Sequence, residues 1–128
     1  MRAIADLVEN VRAGGFAVDL LVSADATDAS SDVQHCAYRV AQEALTNAVK
    51  HAPGAHIAVR VAASEGALRL TVETVGGTPS TPGVDSGGLG LNGILRRVAT
   101  AGGEAHIGPT PTGFLVEAEL PMRRSSNR

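Results

Sequence analysis

The stretch Tyr38-Arg-Val-Ala-Gln-Glu-Ala-Leu-Thr-Asn-Ala-Val-Lys-His-Ala52 decides how this chain is read. Arg39, Glu43, Asn47 and His51 recur at four-residue intervals, and residues four apart on a helix stand one above the other. Val33, Ala37, Val40, Ala44 and Ala48 form a complementary apolar row, so the spacing predicts a helix with one buried face and one polar stripe. A stripe containing Glu43 and Asn47 suits a hydrated divalent cation beside a polyphosphate. Mg²⁺ takes oxygen ligands and keeps several waters, and a neutral amide oxygen on Asn47 would leave the ion's charge to its phosphate partners. Lys50 lies one turn beyond Asn47, where it could approach a phosphate. The same stripe also reads as a solvated helix face. What favours the first reading is a glycine-rich segment downstream.

The 128 residues are 44% hydrophobic, enough for one core, so a single domain over residues 1–121 is expected, with 122–128 as a disordered tail. Formal net charge is −2, with no long block of Lys or Arg; the pair Arg123-Arg124 lies near the terminus. With two Phe, one Tyr and no Trp, the chain lacks the basic and stacking surfaces of a nucleic-acid platform. Cys36 is the single cysteine, which excludes an internal disulfide and a cysteine-built zinc site. Its helical position reads as a small buried hydrophobe. Asp6 and Glu9 interrupt any signal-like apolar stretch, and no run of 18 apolar residues exists. The segment is therefore expected to be soluble and cytoplasmic, whether or not a parent protein is membrane-anchored.

Ile4, Leu7, Val8 and Val11 predict a helix over Ala3 to Ala13, stopped by Gly14-Gly15. Phe16 to Val22 suits a buried strand, and Ser23 to Ser31 a loop. Ser31 with Gln34 predicts a capping box for the striped helix, which Pro53-Gly54 ends. His56 to Ala63 alternates through Ile57, Val59 and Val61, Ser64-Glu-Gly66 turns, and Leu68, Leu70 and Val72 return, a hairpin. Gly76 to Gly90 is rich in Gly, Pro, Ser and Thr and reads as one long mobile loop. Leu91 to Ala101 resumes helical spacing, and a closing hairpin is expected from Glu104–Gly108 and Phe114–Leu120 around Pro109 to Gly113. About three helices and five strands without repeated βαβ units predict an α+β fold, with helices on one face of a mixed, mostly antiparallel sheet.

Ser86-Gly-Gly-Leu-Gly-Leu91 precedes the third helix. Such a junction offers free N–H groups and the positive end of a helix dipole to an anion, although glycine-rich linkers before helices are common. The combination of two motifs is more specific. Gln42-Glu-Ala-Leu-Thr-Asn-Ala-Val-Lys-His51 resembles the N box of sensor histidine kinases, and Gly88-Leu-Gly-Leu-Asn-Gly-Ile-Leu-Arg-Arg-Val98 resembles their G2 box. Ala37-Tyr-Arg-Val-Ala41 and Ala101-Gly-Gly103 look like the short-lid subgroup paired with LuxR/NarL-type response regulators. The resemblance runs from about Leu7 to Pro121. It implies the Bergerat, or GHKL, ATP-binding fold, a two-layer α/β sandwich holding ATP and Mg²⁺ under a lid. By that resemblance Asn47 would hold Mg²⁺ and Glu43 would act as base or water-positioning group. Lys50 and His51 would lie near the phosphates, and Thr74, Gly76, Gly88, Leu89, Gly90 and Leu91 would line the nucleotide site.

Two departures qualify the resemblance. The family's G1 box usually has an Asp that accepts the adenine amino proton, and here the segment is Val72-Glu-Thr-Val-Gly-Gly77. Alternation puts Thr74 on the inward face at the Asp position and turns Glu73 away. A hydroxyl accepts a hydrogen bond without a carboxylate's charge, so weakened nucleotide affinity is expected. The chain also lacks a phosphoacceptor helix; His35, His56 and His106 read as structural or surface residues. The expected function is thus the catalytic domain of a histidine kinase, separated from its dimerisation domain with Met1 as an artificial start. Such a domain would act with that phosphoacceptor domain, in a homodimeric parent, and would not autophosphorylate alone. The alternatives are an anti-sigma-type serine switch kinase and a degenerate interaction module.

Overall fold

The computed structural model of the chain describes residues 2–52, 54–76 and 86–122, with the backbone alone for residue 51 and residues 86–91. Helix α1 spans Arg2–Ala13, strand β1 Ala17–Val22, α2 Ser31–His51, β2 His56–Ser64 and β3 Ala67–Val75. Helix α3 spans Ser86–Thr100, β4 Glu104–Thr110 and β5 Gly113–Pro121. The five strands form one sheet in the order β1-β2-β3-β5-β4. β1 and β2 run parallel, and α2 supplies the crossover that a parallel pair requires. The other neighbours are antiparallel, so the sheet is mixed as expected.

All three helices lie on one face of this sheet. Ile57, Val59 and Val61 of β2, Leu68, Leu70 and Val72 of β3, and Val116, Ala118 and Leu120 of β5 are buried beneath them. The buried face of α2 is small, with Ala37, Ala41, Ala44 and Ala48 beside Val33, Val40 and Leu45. Short side chains let the helix lie close to the strands, and α1 and α3 close the layer through Ile4, Val8, Ile94 and Val98. The opposite sheet face is polar, with an Arg69–Glu119 ion pair at 3.2 Å. At the sheet edge His56 contacts Asp19 at 2.8 Å.

Several local expectations need correction. The cap of α2 is Ser30, whose hydroxyl accepts from the Val33 N–H at 3.3 Å. The Gln34 amide donates to the carbonyls of Thr27 and Ala29 at 3.1 and 2.8 Å, stapling the preceding loop. That loop contains a 3₁₀ turn over Ala24–Asp28. The β2–β3 turn is tighter than Ser64 to Gly66, with Glu65 and Gly66 at φ +52° and +78°, the paired left-handed residues that match strand twist. The last hairpin turns at Pro111-Thr112 alone, because Thr110 and Gly113 already pair.

The largest correction concerns the glycine segment. Ser86 to Gly90 belongs to α3 and not to a loop. Glycine weakens helix interiors, but here it occupies the first turns while the packed half, through Ile94 and Val98, anchors the element. The rest of the expected lid, residues 77–85, lies outside the described residues, as do 123–128. Met122 is held at both ends: its N–H donates to the Gly66 carbonyl and its carbonyl accepts from the Ser30 N–H, each at 2.9 Å.

Candidate functional site

The polar stripe forms as the spacing predicts. Arg39, Glu43 and Asn47 are half-buried along α2, and Lys50 is exposed. His51 closes the helix backbone. Asn47 stands out because its amide nitrogen is buried and has no hydrogen-bond partner. An unpaired buried amide costs free energy unless something outside the chain completes it. Its two ends also exchange by a half-turn, so the group can present either an acceptor or a donor. Side chains of this kind fit a hydrated cation or a phosphate.

Thr74 is the single polar or charged residue among the described residues to be buried, at 5% exposure. It sits between Ile57 of β2 and Phe114 of β5, whereas Glu73 is half-exposed on the other face, so the inward register read from alternation holds. Gly76 follows at φ +77°, donating its N–H to the Thr112 carbonyl at 2.9 Å. Sequence reasoning missed the residue that seats this strand end. A Cβ on Gly113 would meet the Thr74 carbonyl oxygen at 1.7 Å, so only glycine permits the approach of β5 to β3 here.

The topology brings these pieces to one end of the domain. β2 starts at His56, just after α2 ends at His51, and pairs there with Val75 of β3. The C-terminal half of α3 packs on the first turns of α2, so α3 runs antiparallel to α2. Its N-terminus, with Gly88, Leu89, Gly90 and Leu91, is therefore directed toward the Asn47 end. The first N–H groups of any helix lack intrahelical acceptors, and glycine leaves them uncovered.

The family model for histidine kinase-, DNA gyrase B- and HSP90-like ATPases matches residues 32–124. The chain belongs to this family. Among curated relatives, the ATPase domain is 33% identical over 92 residues to the sensor histidine kinase YxjM of Bacillus subtilis, covering 71% of this chain and 22% of that protein. It is 36% identical over 100 residues to the signal transduction histidine-protein kinase/phosphatase UhpB of Salmonella typhimurium, covering 77% and 19%. The chain thus spans about a fifth of the length of these relatives. Among solved structures, the blue-light activated histidine kinase EL346 of Erythrobacter litoralis superposes with a TM-score of 0.73 at 24% identity, over 94% of this chain and 40% of that one. The catalytic domain of histidine kinase ThkA gives a TM-score of 0.70 at 16% identity, over 97% and 91%. These likenesses establish the two-layer α/β sandwich. Among the described residues no helix is long and apolar enough to cross a membrane.

Proposed function

We propose that this chain is the ATP-binding catalytic domain of a sensor histidine kinase, working on the cytoplasmic side with a dimerisation domain that carries the phosphoacceptor histidine. The observation that carries the proposal is Asn47, a buried amide without a partner on the polar stripe of a histidine-kinase-like ATPase domain. In this reading Asn47 holds Mg²⁺, which neutralises phosphate charge when bound, and Glu43 one turn earlier orients or deprotonates the attacking group. Lys50 and His51 lie along the phosphates, the N–H groups of Gly88 to Leu91 receive them, and Thr74 and Gly76 face the base. Phosphoryl transfer needs positioning and charge compensation more than covalent help, which such a set supplies. A response regulator of the LuxR/NarL type would then receive the phosphoryl group. Both curated relatives described above bear histidine-kinase names, which favours this reading over a serine switch kinase.

Thr74 favours a second reading, a degenerate module with weak or no ATP binding, because a buried hydroxyl replaces a carboxylate. Calorimetric titration with ATP and Mg²⁺ separates the two. The first reading expects measurable binding by the native chain and about tenfold tighter binding by Thr74→Asp, the gain of a charge-assisted over a neutral hydrogen bond. No binding by either protein would establish the degenerate module. Equal or weaker binding by the variant would remove Thr74 from the base contact.

A further inference from the structure

At the other end of α2, its first turns and the C-terminal half of α3 enclose an open groove of about 400 Å³. Asp32, His35 and Cys36 line it from α2, and Arg96, Arg97 and Thr100 from α3. The Nε of Arg97 is buried there without an acceptor. Among the described residues, neither Arg96 nor Arg97 forms an ion pair. A guanidinium is always charged and offers planar donors that match an oxyanion, so a half-buried one whose Nε lacks an acceptor is a site short of its ligand.

The neighbours do not fill that need. The Cys36 thiol donates to the Arg97 carbonyl at 3.8 Å, and burial pushes its pKa up against the opposing pull of the guanidinium, so it stays neutral and supplies no anion. Among the described residues, Asp32 is the one carboxylate lining the groove. It lies in the first turn of α2, where a negative charge complements the helix dipole, and has an interaction of its own. Among the described lining residues, two guanidiniums stand against one carboxylate, a positive balance.

We propose that this α2–α3 groove binds a small oxyanion, a phosphate or carboxylate group, held by Arg97 and Arg96 with His35 at its rim. The site is separate from the stripe, since Cys36 precedes Asn47 by about 16 Å along the helix at 1.5 Å per residue. It does not depend on the nucleotide reading. An anion there ties α3 to α2, the two helices whose far ends carry Gly88 to Leu91 and Asn47.

Titration of the ¹⁵N-labelled chain with sodium phosphate, and separately with sodium acetate, at an ionic strength held constant with chloride, tests the proposal. Saturable shifts are expected at residues 33–36 and 96–101, with affinity about tenfold weaker in Arg97→Gln and about threefold weaker in Arg96→Gln. Saturation by phosphate alone assigns tetrahedral oxyanions, and saturation by acetate alone assigns carboxylates. Arg97→Gln should unfold in chloride no earlier than the native chain, because it removes an unpaired donor, and it should lose the stabilisation that the saturating anion gives the native protein. Should that variant fail to fold, Arg96→Gln carries the test. The proposal is overturned if neither anion saturates, if both variants bind as the native chain does, or if the shifts are confined to residues 43–50.

Discussion

Replacing Gly113 by alanine should destabilise the domain by about 3 kcal/mol and lower its thermal midpoint by roughly 10 °C. Gly113 opens β5 opposite Val75 of β3 and Thr110 of β4. A Cβ there would lie 1.7 Å from the Thr74 carbonyl oxygen, 2.7 Å from its carbon and 3.1 Å from the Val75 Cα. All three are backbone atoms in a paired strand, which cannot rotate away as a side chain end can. One strand must move, and close-packed interiors resist such movement. The displaced residue is Thr74, so nucleotide affinity should fall with stability. Gly108 provides the control: nothing lies within 4 Å of its would-be Cβ and its φ is not left-handed, so Gly108→Ala should unfold within about 2 °C of the native chain. Differential scanning calorimetry of both variants decides the matter. A native midpoint for Gly113→Ala would mean that β3 and β5 do not approach this closely in solution.

Features that depend on local period were legible in the sequence. The buried row of α2 and the alternation of β2 and β3 follow from side-chain geometry, and the inward register of Thr74 follows from the same alternation. Ser30 and Ser31 are both able to cap, so composition could not choose between them; the packing of Val33 against the core did. The start of α3 was illegible for a different reason. A run of Ser, Gly and Leu reads as loop residue by residue, and only the anchoring of Ile94 and Val98 against the sheet carries the helix back to Ser86. Gly113 gave no signal because its constraint is the closeness of a strand 38 residues earlier in the chain. In the sequence Arg97 stands only as part of a motif, since the burial of its Nε arises where two helices distant in sequence meet.

Asn47→Asp should weaken Mg-ATP binding by roughly a hundredfold, about 2.7 kcal/mol, and remove its dependence on Mg²⁺ while the fold survives. The substitution keeps the shape of the side chain and replaces an N–H donor with an oxygen. In the native chain that nitrogen is buried without a partner, so folding loses no hydrogen bond when it is removed. Binding loses more. A second carboxylate would stand one turn from Glu43 on the same half-buried face, and like charges four residues apart on a helix repel each other and any polyphosphate brought beside them. The metal would be drawn to the pair of carboxylates and no longer shared with phosphate on the native terms, which is why Mg²⁺ dependence, and not affinity alone, is the informative readout. Calorimetric titration with ATP in Mg²⁺ and in EDTA measures it, alongside the thermal midpoint of each protein. Asn47→Ala guards against a purely electrostatic effect: it adds no charge, removes the amide, and should also abolish the Mg²⁺ dependence. If either variant keeps native Mg²⁺-dependent binding, Asn47 does not hold the metal, and its unpaired amide has to be explained by the packing of α2 instead.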